Sequence, residues 1–166
     1  MPVEYINFKG DKYYLHEGLT KKGNPKYWFS KNLEGKLVDE IPDGFEIYEE
    51  PNGMVFLRRI GPKLVTDEEI KAVEDSIPEE LRAKVDVKKD VITIYLAEFF
   101  YVIYMAMMRF ILIDKTTREF EVERYCFRGS IDDWIGLDRS TDLKQLAKKY
   151  CFHLGKESFY DLSYFI

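Results

Sequence analysis

Cysteine and histidine are scarce in this sequence of 166 residues. It has only two cysteines, Cys126 and Cys151, and two histidines, His16 and His153. Their positions do not follow the C-x₂-C or H-x₃-H spacing that places ligands on one metal ion, so we expect no structural zinc. The sequence permits a disulfide between the two cysteines but contains nothing that implies one.

The common catalytic and nucleotide-binding motifs are also missing. The sequence contains no G-x-x-x-x-G-K-[ST], G-x-G-x-x-G, G-x-S-x-G or H-E-x-x-H pattern. Cys151 and His153 are two positions apart on an expected helix, where their side chains diverge, so they form a poor nucleophile and base pair. We therefore expect no cofactor and favour a protein that is not an enzyme.

Export and membrane signals are lacking as well. The stretch MPVEYINFKGDKYY has neither a basic leader nor an apolar run, and cysteines are few, so we expect a cytoplasmic protein. The most apolar stretch, residues 91–113, is interrupted by Glu98 and Arg109, which are costly in lipid. We expect it to form buried strands or a core helix, and we expect no membrane association.

What the sequence does contain is typical of one folded domain, which we expect to span residues 1–166. Apolar residues make up 46% of the chain and aromatic residues 16%, enough for a core that contains many rings. The net charge of −5 opposes strong, sequence-independent binding of nucleic acid. It is unevenly spread, because residues 1–36 contain 7 basic and 4 acidic side chains.

The pattern predicts an α+β fold of antiparallel hairpins. Short aromatic and β-branched runs alternate with turn residues, and the hairpin 45–59 around Glu50-Pro51-Asn52-Gly53 is the clearest. Further predicted strands cover residues 3–8, 12–17, 26–30, 84–87, 91–95, 107–114 and 119–127. We expect these hairpins to pack against a middle helix and a C-terminal amphipathic helix.

Both helices have recognisable end signals. Thr66 and Glu69 form a capping box for a helix over residues 67–76. The apolar stripe from Leu143 to Leu154 predicts the second helix, with Ser140 or Thr141 as its cap and Gly155 at its C′ position. Phe159, Leu162 and either Phe165 or Ile166 fit one more short helix.

Two groups of side chains are candidate binding sites. Lysines and rings alternate in the first hairpins, a combination that neutralises phosphates and stacks on bases; the candidate nucleic-acid residues are Lys12, Tyr14, Lys21, Lys22, Lys26 and Trp28. The segment SIDDWIGLDRS, which we expect to be a loop, offers Asp132, Asp133 and Asp138 as oxygen ligands for a divalent ion. For both groups a structural role is the competing interpretation: edge protection for the lysines, and turns and caps for the aspartates.

Glu119, Glu121 and Glu123 alternate along a predicted strand and should form a solvated face that pairs with Arg109 or Arg118.

The stretch EIPDGFEIYEEPNGMVFLRR resembles a family of uncharacterised bacterial proteins, and the resemblance implies no activity. Abundant Tyr and Trp favour an interface. The leading hypothesis is thus a non-catalytic module that binds a protein partner or itself; the alternatives are weak nucleic-acid binding and a divalent-metal enzyme.

Overall fold

The computed structural model describes residues 1–97, 103–128 and 130–163. The chain forms two compact units, residues 1–61 and 62–166. Strands dominate both, with two α-helices in the second, so the predicted α+β class is confirmed. The expectation of a single domain stays a prediction, and the two units are described separately.

The N-terminal unit contains a three-stranded antiparallel sheet and a separate hairpin. The sheet has the order β1 (Glu4–Ile6), β2 (Lys12–Leu19) and β3 (Pro25–Ser30), and the hairpin joins β4 (Phe45–Glu49) to β5 (Val55–Arg59). The predicted hairpin turn is confirmed, and its Gly53 has a positive φ of 94°, a conformation that side chains disfavour. The Asn7 amide donates to the Gly53 carbonyl at 2.8 Å, which ties this turn to the end of β1.

His16 lies in the interior of this unit. It is only 1% exposed, and its ring stacks on Trp28 with a centroid distance of 5.6 Å. Its Nε2 atom lies 3.0 Å from the carbonyl oxygen of Asn32, in the segment that follows β3. Because this segment has no periodic pattern, its contact with the histidine could not be predicted from the sequence.

The C-terminal unit is built on a five-stranded antiparallel sheet in which sequential strands are neighbours. Its strands are β6 (Ala83–Lys88), β7 (Val91–Ala97), β8 (Tyr104–Asp114), β9 (Glu119–Arg128) and β10 (Ile131–Ser140). Alternation places one face in the core, and its fully buried side chains include Ile92, Ile94, Met108, Phe110, Phe120 and Val122. Each such side chain contributes about 1.5–3 kcal/mol by leaving water.

Two helices contribute to the same core. Helix α1 (Asp67–Glu74) has the predicted capping box, since Thr66 accepts from the Glu69 amide and Glu69 accepts from the Thr66 amide. Helix α2 (Leu143–Cys151) buries its predicted apolar stripe, but its cap is Asp142 instead of Ser140 or Thr141. A carboxylate is also a strong N-cap, and it accepts from the Gln145 amide at 3.1 Å.

Beyond α2 the chain turns at Gly155, which has a φ of 76°, and forms a short 3₁₀ helix, Glu157–Asp161. This confirms the predicted additional helix through Phe159, which is buried; Phe165 and Ile166 lie outside the described residues. Helix α2 itself ends at Cys151, so Gly155 lies past its C′ position.

The described residues of the apolar stretch 91–113 belong mainly to β7 and β8, two of the three interior strands of the sheet; Glu98 lies outside the described residues. Within the described ranges, no helix has the length and apolar character needed to cross a membrane. The prediction of a loop for SIDDWIGLDRS was wrong, because these residues form the edge strand β10 with a bulge at Gly136 to Asp138.

Candidate functional site

The basic and aromatic residues predicted to bind nucleic acid are partly brought together. Register pairs Tyr14 with Ser30 and Gly18 with Lys26, so Lys12, Tyr14, Lys26 and Trp28 share one face of the three-stranded sheet. Lys21 and Lys22 lie in the exposed turn between β2 and β3. All six predicted residues therefore lie on strands or in the turn that joins them, and Tyr14 and Trp28 are the two rings among them.

Trp28 is held in place from two sides. One ring face lies against His16, and the far edge of the indole lies over Gly18, where an added Cβ would come within 3.1 Å of the ring. The Lys26 ammonium lies 5.8 Å from the indole centroid, and the tryptophan remains 40% exposed. Lys12 is partly neutralised by Glu4 at 3.7 Å.

The three aspartates proposed as metal ligands are spread along β10 and are not brought together. Asp132 and Asp138 are six positions apart, about 20 Å along a strand. Asp132 accepts from the Tyr125 hydroxyl at 2.5 Å, whereas Asp138 accepts from the Tyr150 hydroxyl at 3.0 Å. In the part of the chain that the structure describes, no three His, Cys, Asp or Glu side chains are placed to hold a metal ion.

Asp133 and Asp138 also bind backbone groups of the strand edge. Asp133 accepts from the Trp134 amide at 2.7 Å, and Asp138 accepts from the Arg139 amide at 2.8 Å. The pKa of Asp138 lies below its ordinary value: burial raises it, but the hydrogen bonds from Arg139, Tyr150 and Lys149 outweigh burial.

Sequence reasoning missed a cluster of rings and one arginine on the face of the five-stranded sheet that points away from the helices. We call it the aromatic–arginine surface: Arg109, Tyr125, Phe127 and Trp134. The Arg109 guanidinium lies 4.3 Å from the Trp134 centroid, and Tyr125 meets Trp134 edge to face at 5.1 Å and Phe127 at 4.5 Å.

Polar contacts fix this surface. Arg109 donates to Glu123 at 2.5 Å, which confirms the expected pairing of the glutamate face with Arg109. The hydrogen bond to Asp132 raises the pKa of Tyr125, and burial adds to this effect. Phe127 is 61% exposed at one side of the cluster. If residues 131–140 had been assigned to a strand, pairing with β9 would have placed Trp134 opposite Tyr125.

A buried cation was also missed. Arg124, only 6% exposed, lies on the core face of β9 and donates to three backbone carbonyls, those of Leu162 at 2.8 Å and of Tyr160 and Tyr125 at 3.3 Å. Its guanidinium lies 5.6 Å from the Phe159 ring centroid. The arginine thereby attaches the residues after α2 to the sheet.

The remaining nucleophiles have structural surroundings. Burial raises the pKa of the Cys151 thiol to about 12, so the reactive thiolate is disfavoured. The Nδ1 atom of His153 lies 2.8 Å from the Ser158 hydroxyl, which links the end of α2 to the 3₁₀ helix. No carboxylate among the described residues orients this histidine, as a catalytic triad requires.

Comparisons with protein-family models, with curated proteins and with solved structures give no significant match to this chain. The candidate function is therefore argued from its own geometry.

Proposed function

We propose that this protein is a non-catalytic protein-interaction or self-association module and that the aromatic–arginine surface is its contact region. The observation that carries the proposal is the mutual packing of Arg109, Tyr125, Phe127 and Trp134 on the helix-free face of the sheet. Tryptophan, tyrosine and arginine are the side chains most enriched among residues that dominate binding energy.

The arrangement lowers the cost of association. Ion pairing to Glu123 and contact with Trp134 already restrict Arg109, and the Asp132 hydrogen bond restricts Tyr125. Each rotamer-rich side chain that need not be immobilised on binding saves about 0.5–1.5 kcal/mol. The exposed ring of Phe127 supplies apolar area that a partner would remove from water.

The test is affinity capture of the full chain from native lysate after nuclease treatment, read by quantitative mass spectrometry. The wild type is compared with Phe127→Ala, which truncates an exposed ring in the surface, and with Phe152→Ala, a ring on the C-cap of α2 that is similarly exposed at 59%. We expect the wild type to capture specific proteins or further copies of this chain. The captured amount should fall by about tenfold or more with Phe127→Ala and should be unchanged with Phe152→Ala. Equal retention by both variants would contradict the proposal.

A second candidate function is weak binding of single-stranded nucleic acid by the N-terminal sheet. It is favoured by the shared face of Lys12, Tyr14, Lys26 and Trp28, with Lys21 and Lys22 in the turn at its end. Ammonium groups would neutralise phosphates while a base stacks on Trp28, whose ring is already immobilised by His16.

This candidate predicts a salt-dependent affinity for a single-stranded oligothymidine, measured by fluorescence anisotropy. The affinity should fall with increasing salt because counterions are released on binding. It should fall further in the Lys21→Ala, Lys22→Ala and Trp28→Ala variants. An affinity that responds neither to salt nor to these substitutions would eliminate the nucleic-acid candidate.

A further inference from the structure

The two edges of the five-stranded sheet differ in how open they are. Strand β10 has a bulge, and two of its aspartates bind edge amides, those of Trp134 and Arg139. Strand β6, at the other edge, pairs with β7 over its whole length without a register shift. A regular edge strand presents backbone N–H and C=O groups to any extended chain that approaches it. Of these two edges, β6 is therefore the one suited to accept another strand.

The hydrogen bonds of β6 alternate along the strand. The Ala97 amide donates to the Arg82 carbonyl at 3.0 Å, so the even-numbered residues of the strand bond to β7. The N–H and C=O groups of Ala83, Val85 and Val87 consequently point away from β7. Within the described ranges, the structure shows no backbone hydrogen bond to these three residues on that outer side.

Apolar surface lies next to these backbone groups. A groove of about 360 Å³ runs beside the strand, and its apolar walls include Ile77, Leu81, Ala83 and Val85. Ala83, Val85 and Val87 are only partly buried where they pack against the hydrophobic core. A strand added to this edge thus removes apolar area from water in addition to pairing backbone groups.

The sequence of β6 is complementary to itself in an antiparallel pair. Only a two-fold axis through Val85 pairs all three outward-directed residues with those of a second copy: Val85 lies opposite Val85, and Ala83 lies opposite Val87. The same register places Lys84 opposite Asp86 of the second copy, on both sides of the axis. Opposite charges that face each other across a strand pair are stabilising.

We propose that two copies of this chain pair their β6 strands antiparallel about Val85 and so join their five-stranded sheets into one. Each of the three pairs of outward-directed residues contributes two backbone hydrogen bonds. Charged side chains on an edge usually oppose pairing, but here like charges meet only at the ends, where Lys88 faces Arg82 and both are exposed to screening solvent. The inference goes beyond the aromatic–arginine surface, which lies on the face of the sheet and stays open in such a dimer.

The first test measures the mass of the full chain by sedimentation velocity over a range of concentrations. We expect a dimer of twice 19.8 kDa. In the separate variants Asp86→Lys and Lys84→Asp, like charges face each other across the axis, so the dissociation constant should rise by about tenfold or more.

An equimolar mixture of these two variants is the matched control. One strand then carries two basic residues and the other two acidic ones, so the mixed dimer should form with the affinity of the wild type. A monomeric wild type, or a mixture that associates no better than the separate variants, would overturn the proposal. Phe127→Ala should dimerise like the wild type. A dimer that is lost in Phe127→Ala and kept in Asp86→Lys would place self-association on the aromatic–arginine surface instead.

The second test needs no substitution at the edge. Amide hydrogen exchange of the wild type is read residue by residue by NMR at low and high protein concentration. The amides of Val85 and Val87 should exchange at least about tenfold more slowly in the dimer. Those of Lys84 and Asp86 are the internal control, because they bond to β7 in both states. Exchange at Val85 that does not depend on concentration would overturn the proposal.

Discussion

A single arginine has an unusual place in this protein. Arg124 is buried on the core face of β9, and its guanidinium donates to the carbonyls of Tyr125, Tyr160 and Leu162. Removing a charge from water is costly, and neutral acceptors offset only part of that cost. We therefore expect the main role of Arg124 to be structural: it fixes the segment that follows α2 to the sheet.

We predict that Arg124→Met lowers the free energy of unfolding by about 3 kcal/mol, because it removes one buried and two partly buried hydrogen bonds from a charged donor. Arg124→Lys should lose less, since it keeps the charge but cannot span all three acceptors. Urea unfolding of the full chain measures both values. A methionine variant as stable as the wild type would contradict the prediction, because the desolvation cost of the guanidinium would then cancel the stabilisation from its hydrogen bonds.

Glu69 joins two elements of the C-terminal unit. It receives hydrogen bonds from Arg118 at 2.5 and 3.1 Å and completes the capping box of α1 through the Thr66 amide at 2.8 Å. Burial pushes the pKa of Glu69 upward, but the bonds from Arg118 and Thr66 outweigh burial and hold it below its ordinary value of 4.5. The ion pair thus connects α1 to the turn between β8 and β9.

A depressed carboxyl pKa in the folded state gives stability that is fully present above the unfolded pKa, here the ordinary value of 4.5, and is lost as the pH falls through the folded pKa. We predict that Glu69→Gln lowers the free energy of unfolding by about 1 kcal/mol at neutral pH and that the difference narrows below about pH 4. Glu68→Gln, its exposed neighbour, is the control. A deficit that is independent of pH would contradict this account.

The edge of the large sheet is protected by its own side chains. Asp133 and Asp138 bind the amides of the residues that follow them, and the bulge at Gly136 to Asp138 interrupts the edge. Charges and bulges on an edge strand oppose pairing with a second chain. Asp133 and Asp138, two of the candidate metal ligands, are therefore explained by protection of the sheet edge. This role is related to the turn and cap role that was the competing interpretation for these aspartates.

We predict that Asp133→Ala increases self-association relative to the wild type, because it exposes the Trp134 amide and removes a charge from β10. Sedimentation velocity over a range of concentrations measures the effect. Asp132→Ala is the matched control, since Asp132 accepts from the Tyr125 hydroxyl and from no edge amide in the described contacts. Equal sedimentation of wild type and Asp133→Ala would refute edge protection by this residue.

Sequence patterns predicted elements better than surfaces. The hairpin at Gly53, the Thr66 capping box and the stripe of α2 rest on neighbours in sequence, so local chemistry was enough. Strand β10 was missed because its aspartates and Gly136 resemble loop residues, although an edge strand tolerates them. The aromatic–arginine surface was missed as a consequence, because it requires the register of β8, β9 and β10 together.

At the scale of the whole molecule, the large hydrophobic core lies entirely within the second compact unit, from Val65 to Leu162. The first unit has few fully buried apolar side chains, among them Leu15 and Val55. We predict that amide hydrogens of β7, β8 and β9 exchange slowest in the full chain and that those of β2 and β3 exchange measurably faster. Hydrogen exchange read by mass spectrometry tests this, and equal protection of both units would contradict it.

The central claim is that a protein partner, or a second copy of the chain, lies on the aromatic–arginine surface. The most direct measurement replaces Phe127 with a photo-crosslinking phenylalanine analogue in the full chain and compares it with the same replacement at Phe152, which is equally exposed on the end of α2. We predict a discrete protein adduct from position 127 that is absent from position 152. Adducts from position 152 alone, or from neither position, would contradict the claim.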